Sequence, residues 1–207
     1  MCGPDQRRDD NQRGPDEPHT PESWRGFDRG ARNAAVPCMK DTIDALELLT
    51  SQHDEVEMLF SEIEDSDDSE EKAELFRKLA DMLAAHATME EKLFYPSVMA
   101  EDTAELLLEA TEEHLAVKRV LADMLEMEPE DDRFEAKLTV LKEHVRHHAR
   151  DEEEGKLFPI LREMLDEAQL AGLGNDCLAL FEQLLEREPR MNVPAETSQA
   201  APLDMSF

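Results

Sequence analysis

Apolar residues recur at alternating steps of three and four along four separate stretches of this chain, a spacing that indicates four amphipathic helices. Prolines and polar turns such as DSDDSE separate the stretches, and no competing pattern of alternating strand residues is found. The helices are predicted over about residues 41–65, 69–96, 102–127 and 131–159. Because the links between them are short, we predict an all-α fold, an antiparallel up-down four-helix bundle.

The regions that flank these helices differ from them in composition. Residues 1–37 are rich in Pro, Gly, Arg and Asp, and residues 189–207 are rich in Pro, Ala, Ser and Thr, so both are predicted to be disordered tails. A short amphipathic stretch over about 175–187 follows the sequence AGLG, which we interpret as a helix stop. The predicted domain therefore covers residues 38–188 and consists of the bundle with a short extra C-terminal helix.

The formal net charge of −29 argues against nucleic acid or an anionic membrane as a partner, because both would be repelled. No apolar run approaches the ~18 residues of a membrane span, and the N-terminus lacks an apolar secretory signal. The three cysteines are odd in number and do not suggest a disulfide framework. We therefore expect a cytoplasmic protein without a nucleic-acid or membrane partner.

One histidine interrupts the apolar stripe of each of the four helices, at His53, His86, His114 and His148. A single inward histidine is usually a hydrogen-bonded core residue. Four imidazoles brought together in one core would be desolvated with few partners, which costs free energy unless something satisfies them. Neutral imidazole is a good ligand for zinc, copper, iron and nickel, so the pattern predicts a metal site inside the bundle.

Two glutamates lie four residues after two of these histidines, Glu90 after His86 and Glu152 after His148. Residues four apart share one face of an α-helix, so both carboxylates are expected beside the imidazoles. Four imidazoles and two carboxylates can hold two metal ions, with two histidines on each and both glutamates bridging. Such a site would keep coordination positions open for a small ligand.

Four stretches carry a resemblance to a known family, namely QHDEVEMLF, HATMEEKLFYP, EEHLAVKRVL and HHARDEEEGKLFP, within roughly residues 41–165. In these stretches the chain resembles the hemerythrin-like, or HHE cation-binding, domain family. The resemblance implies a four-helix bundle with two non-haem iron ions, bridged by two carboxylates and an oxo or hydroxo group. The ligands it implies here are His53, His86, Glu90, His114, His148 and Glu152.

Three positions leave alternatives open. Lys118 stands where oxygen-carrying members of the family have a further histidine, which argues against simple oxygen carriage. His144, one turn before His148, is a candidate fifth histidine ligand. Glu153 rivals Glu152, because Glu153 precedes its proline by six residues, as Glu90 does, whereas the apolar stripe favours Glu152.

The resemblance implies a protein that binds iron and a small ligand, either a diatomic such as oxygen or nitric oxide, or peroxide, for sensing, storage or stress response. The alternatives are a redox-active di-iron enzyme or an iron-donating iron-sulfur repair protein, and a metal-free acidic helical partner protein. Members of the first two classes share their ligands and differ in access to the metal, so the sequence does not decide whether the protein is an enzyme. It predicts no oligomeric state.

Overall fold

The computed structural model describes residues 43–205, and every regular element in that range is helical. The predicted N-terminal tail lies outside these residues. Two π-helical segments, Glu90–Phe94 and His147–Leu157, interrupt the second and fourth arms of the fold, and a 3-10 helix spans Pro189–Glu196. The α-helices are α1 (Ala45–Asp65), α2 (Ser69–Met89), α3 (Tyr95–Val98), α4 (Ala104–Leu125), α5 (Phe134–Arg146), α6 (Phe158–Met164) and α7 (Glu167–Leu185).

Four arms form the bundle: α1, α2 with its π segment and α3, α4, and α5 with its π segment and α6. Helix α1 packs against α2 and α5, and α4 packs against the same two helices, so the four arms close around one core. Asp68 begins α2 directly after the short link from α1, because its carboxylate accepts hydrogen bonds from the amides of Glu70 and Glu71 at 2.9 Å. The predicted four-helix bundle is confirmed.

The predicted stripes face this core. The stripe positions are 46, 49, 53, 56, 60 and 63 in α1, 75, 79, 82, 86, 89 and 93 in the α2 arm, 107, 110, 114, 117, 121 and 124 in α4, and 134, 138, 141, 145, 148 and 152 in the α5 arm. All of them are buried except positions 75 and 93, which are half-buried. Away from the histidines the core is apolar and aromatic, and the rings of Phe76 and Phe134 meet edge to face with centroids 5.4 Å apart.

Each π segment ends just before a proline. Pro96 and Pro159 are the second residues of α3 and α6. A proline inside an α-helix removes one backbone hydrogen bond and its ring clashes with the carbonyl four residues earlier, which disfavours an unbroken α-helix. Each arm takes up the wider i to i+5 turns before its proline, and this changes which side chains share a face.

The extra C-terminal helix is longer than predicted. Helix α7 begins at Glu167, where Asp166 and Gln169 form a reciprocal capping box, and it runs through the AGLG sequence that we interpreted as a stop. The reason is packing: a Cβ on Gly174 would lie 2.4 Å from the carbonyl oxygen of Ile43. This glycine therefore allows close approach of α7 to the start of α1 and does not end a helix.

Residues 189–205, which we predicted to be disordered, also differ from expectation. The 3-10 helix Pro189–Glu196 packs against α2 and α4. Val193 is 1% exposed and Arg190 forms an ion pair with Asp81 of α2. A few anchoring side chains thus order a segment whose overall composition is that of a linker. Between residues 43 and 205 no helix is both long and apolar enough to cross a membrane.

Candidate metal centre

Five of the six predicted ligands converge in the core, and they fall into two groups that share Glu90. The first group contains His53 and His86, and the second contains His114 and His148. Within each group one ligand atom per residue lies within 4.8 Å of the others, and every member is buried. The bundle thus gathers one histidine from each arm, as the stripes predicted.

The structure places Glu153, and not the predicted Glu152, in the first group. Glu153 is 1% exposed, and its Oε2 lies 3.3 Å from Nε2 of His53 and 3.7 Å from Nε2 of His148. Glu152 instead accepts from Nζ of Lys156 at 2.6 Å. The physical reason is that His148 lies inside a π segment, where the residue five positions later comes round to the same face.

The two carboxylates of the cluster each reach two histidines. Glu90 is fully buried, with Oε1 3.2 Å from Nε2 of His86 and Oε2 3.2 Å from Nε2 of His114. Glu153 turns its other oxygen, Oε1, towards Tyr95, whose hydroxyl donates to it at 2.9 Å. Glu90 in particular lies between the two groups and can be shared by two cations.

The outer nitrogen of every clustered histidine faces an oxygen. Because Nδ1 has an acceptor beside it in each case, Nδ1 keeps its proton when the imidazole is neutral, and Nε2 is then free to bind a metal ion. The acceptors are Glu154 for His53 (2.7 Å), Gln52 for His86 (2.7 Å), Glu91 for His114 (3.1 Å) and Glu113 for His148 (2.8 Å).

Five atoms that point into the cluster lack hydrogen bonds. Among the buried atoms without a partner are Nε2 of His53 and His86, both carboxylate oxygens of Glu90, and Oε2 of Glu153. The contacts of 3.2–3.3 Å between them are not aligned as hydrogen bonds. Ligand atoms roughly 2.1 Å from one metal ion lie about 3 Å from each other, so these separations fit a shared cation.

The second group places two imidazole nitrogens against each other. Nε2 of His114 and Nε2 of His148 lie 3.0 Å apart. With Nδ1 protonated on both rings, two lone pairs face each other, which is unfavourable unless a proton or a cation lies between them. The donor set of imidazole and carboxylate suits iron, manganese or zinc.

A small cavity of about 30 Å³ adjoins the four imidazoles. Its other walls are apolar and are formed by Val56, Leu83, Ala87, Val117, Val145 and Ala149. Water binds poorly in a cavity that offers few polar partners, so this space favours a small and weakly polar guest.

The family model for the hemerythrin HHE cation-binding domain matches residues 44–161, which is more than half of the chain. The chain belongs to this family. The matched residues include all four histidines and both clustered glutamates. Metal binding by the hemerythrin domain is therefore supported both by the family and by the buried cluster.

Two relatives carry the likeness further. The crystal structure of a hemerythrin HHE cation binding domain-containing protein from Mycobacterium kansasii superimposes with a TM-score of 0.64 at 27% identity, covering 75% of this chain and 94% of that one. A protein of Nostoc sp. named DNA nickase is 31% identical over 134 residues, which is 63% of this chain. The match spans only 37% of the nickase.

Charges inside the hemerythrin domain stabilise one another. Burial alone would lower the pKa of His53, but Glu153 and Glu154 outweigh it and raise that pKa to about 9. Burial likewise opposes the charged form of His114, and Glu90 and Glu91 raise its pKa to about 9. Burial would raise the pKa of Glu90, yet His86 and His114 hold it well below its ordinary value. A metal ion must therefore displace protons to bind.

Other candidate residues of the hemerythrin domain lie elsewhere. His144, the candidate fifth ligand, is exposed on α5, and His147 is half-exposed with Nδ1 3.1 Å from Asp151. Lys118 is buried, and its Nζ donates to both oxygens of Glu91 at 2.9 and 2.8 Å. None of these three side chains belongs to either group of clustered ligands between residues 43 and 205.

Gln52 and Glu113 were not predicted as supports for the imidazoles, although the sequence contains a signal. Every supporting residue is the direct neighbour in sequence of a clustered residue, and it serves a histidine of another arm. Gln52 precedes His53 but accepts from His86, and Glu113 precedes His114 but accepts from His148. Polar residues beside inward ligands are therefore the pattern to seek.

Proposed function

We propose that this hemerythrin domain holds two non-haem iron ions and binds a small ligand, oxygen, nitric oxide or peroxide, for sensing, storage or stress response. The observation that carries the proposal is the pair of overlapping buried groups, in which five inward atoms of His53, His86, Glu90 and Glu153 lack hydrogen bonds. His53 and His86 would hold one ion, His114 and His148 the other, and Glu90 and Glu153 would be shared. The oxo or hydroxo bridge implied by the resemblance belongs to the same proposal.

An iron pair, when bound, supplies one-electron redox chemistry and open coordination positions. The chain's own contribution is access and orientation. The apolar cavity of about 30 Å³ beside the imidazoles has room for a diatomic molecule or peroxide and excludes larger molecules. Val56, Leu83 and Val117 offer such a guest no hydrogen bonds. The hydroxyl of Tyr95 fixes Glu153 by donating to it.

The alternative is a redox-active di-iron enzyme or an iron-donating iron-sulfur repair protein. Lys118 favours a centre that reacts over one that carries oxygen reversibly. Its ammonium group pairs with Glu91 and adds no imidazole to the cluster. A centre with one imidazole fewer is more open to solvent and peroxide.

DNA nicking is not extended to this chain, because the match covers 37% of the nickase and the net charge of −29 opposes approach to DNA. The cytoplasmic location stays a prediction from the sequence.

Exposure of the reduced, iron-loaded protein to oxygen tests the choice between carriage and reaction. We expect rapid oxidation without a long-lived oxygen adduct, followed by absorption from oxidised iron and by consumption of added peroxide. Lys118→His serves as the matched variant, since it restores an imidazole at this position and should slow the oxidation. A stable and reversible oxygen adduct in the unaltered protein would assign it to the carriers.

A further inference from the structure

Lys118 is a buried cation with three ion contacts. Its side chain lies on α4 and the residue is 6% exposed. Nζ lies 2.9 and 2.8 Å from the two oxygens of Glu91 and 3.0 Å from Oε2 of Glu196. A buried ammonium group is costly unless it is paired, so these two carboxylates are needed to keep Lys118 where it is.

Glu91 makes a second contact that leads into the cluster. Its Oε1, which accepts from Lys118, also accepts from Nδ1 of His114 at 3.1 Å. Glu91 is therefore held by Lys118 on one side and by His114 on the other. A continuous chain of charged contacts thus runs from Glu196 through Lys118 and Glu91 to His114.

Glu196 belongs to residues 189–205, which we call the C-terminal segment. Arg190 anchors this segment to Asp81 of α2, and its backbone amide donates to Asp81 at 3.1 Å. Near the other end of the 3-10 helix, the carbonyl of Thr197 accepts from Nε of Arg119 on α4 at 3.2 Å. The segment therefore joins the two helices that carry His86 and His114.

The other three histidines are supported differently. Gln52, Glu113 and Glu154 all belong to the arms of the bundle. Arg150, which holds Glu154, also pairs with Asp54 and Glu57 of the bundle. The contacts of His114, through Glu91 and Lys118, continue to Glu196 of the C-terminal segment.

We propose that Lys118 is a positioning residue that couples the C-terminal segment to the metal centre. The docked segment holds Lys118 against Glu91, and Glu91 fixes the ring of His114. The inference rests on the proposed function, because it takes the cluster to be a metal site. Coupling between two sites is reciprocal, so bound metal must also stabilise the docked segment.

Hydrogen exchange of the full chain, read by mass spectrometry over peptides from 189–205, tests this coupling. Exchange is compared between metal-free protein and protein loaded anaerobically with ferrous iron, and iron per chain is measured on the same samples. Residues that orient metal ligands typically change affinity by about 10- to 100-fold, so we expect loaded protein to exchange about tenfold more slowly in the segment. Lys118→Met should bind iron but lose this difference.

Two further variants make the test specific. Glu196 is 39% exposed, so Glu196→Gln should fold normally and weaken the metal-dependent protection as Lys118→Met does. Arg119→Met removes a contact of the same segment that does not reach Glu91, so it should speed exchange equally in both states and keep the difference. Lys118→Arg keeps the positive charge and should retain part of the metal-dependent difference in exchange.

The outcomes are distinguishable. Unchanged metal-dependent protection in Lys118→Met and Glu196→Gln would overturn the coupling. The coupling would also be overturned if unaltered protein that holds two irons showed no metal-dependent protection of the segment. Unaltered protein that binds no iron would overturn the proposed function and the coupling together, and the iron measurement identifies that case.

Discussion

The second and fourth arms of the bundle carry the same sequence features in the same order, namely a histidine, acidic residues, an aromatic residue and a proline. Both arms also contain a π segment, but the spacing from the histidine to the clustered carboxylate differs. In the second arm the π segment begins at Glu90, after His86, and the clustered carboxylate lies four residues after the histidine. In the fourth arm the π segment begins at His147, before His148, and the spacing is five. The start of the π segment therefore decides which acid enters the cluster.

The π segment also differs in length between the second and fourth arms. It covers five residues in the second arm and eleven in the fourth. In the longer segment Glu152 is turned towards Lys156, while Glu153 and Glu154 face His53. One turn of the fourth arm thus supplies both a candidate ligand and the support for an imidazole of another arm.

The largest expected effect comes from substituting the two neighbouring acids of the fourth arm, one at a time. Glu153→Gln removes a charge from the buried cluster and should weaken metal binding by about 100-fold or more, since even changes behind the ligands cost about 10- to 100-fold. Glu152→Gln should be mild, because Glu152 pairs with Lys156. Metal titration of both variants measures the ranking. The opposite ranking would show that metal converts this arm to the spacing of four found in the second.

Raising the pH should change the stability of the metal-free protein and its metal affinity in opposite directions. The pKa values of His53 and His114 are about 9, above the ordinary value of 6.5. Groups whose pKa is raised by folding stabilise the fold fully below about 6.5, and this contribution is lost as the pH rises through 9. The melting temperature of the metal-free protein should therefore fall as the pH rises from 7 to 9.5.

Metal affinity should move in the opposite direction over the same range, because ligand imidazoles must be neutral. Thermal unfolding in chelator and metal titrations at matched pH values check the two trends. Glu154→Gln and Glu91→Gln remove one carboxylate each from His53 and His114 and should reduce both trends. Parallel changes of stability and affinity would contradict the assignment of charged imidazoles in the metal-free state.

The smallest effect tests the backbone of the fourth arm directly. A Cβ on Gly155 would lie 3.0 Å from the carbonyl oxygen of Arg150, whereas one on Gly172 of α7 would meet nothing within 4 Å. Alanine favours a helix over glycine by about 1 kcal/mol, so Gly172→Ala should stabilise and Gly155→Ala should forfeit most of that gain. Denaturant unfolding compares them. Equal stabilisation would argue against the π turn around Gly155.

The inward histidines were predictable because His53 and His114 lie on arms without a π segment, His86 precedes the segment of its arm, and His148 is only the second residue of its segment. The structure brings Glu153 into the cluster, and not the predicted Glu152, because the stripe assumes α-helical turns and the fourth arm leaves them at His147. Distance to the following proline was the better guide, since Glu90 and Glu153 each precede a proline by six residues.

The C-terminal region was harder to predict because its order depends on contacts that lie far apart in sequence. Composition indicated a disordered tail, yet Arg190 with Asp81 and Glu196 with Lys118 hold residues 189–205 to the bundle. Gly174 was interpreted as part of a helix stop, although it is required by the close approach of α7 to Ile43. A pattern within a short stretch of sequence does not include the distant residue that each of these contacts requires.

Iron content per chain after anaerobic loading and removal of loosely held metal tests the central claim most directly. Four imidazoles with Glu90 and Glu153 predict two tightly bound irons per chain. A single iron, or none, in folded protein would contradict the account of two groups that share Glu90.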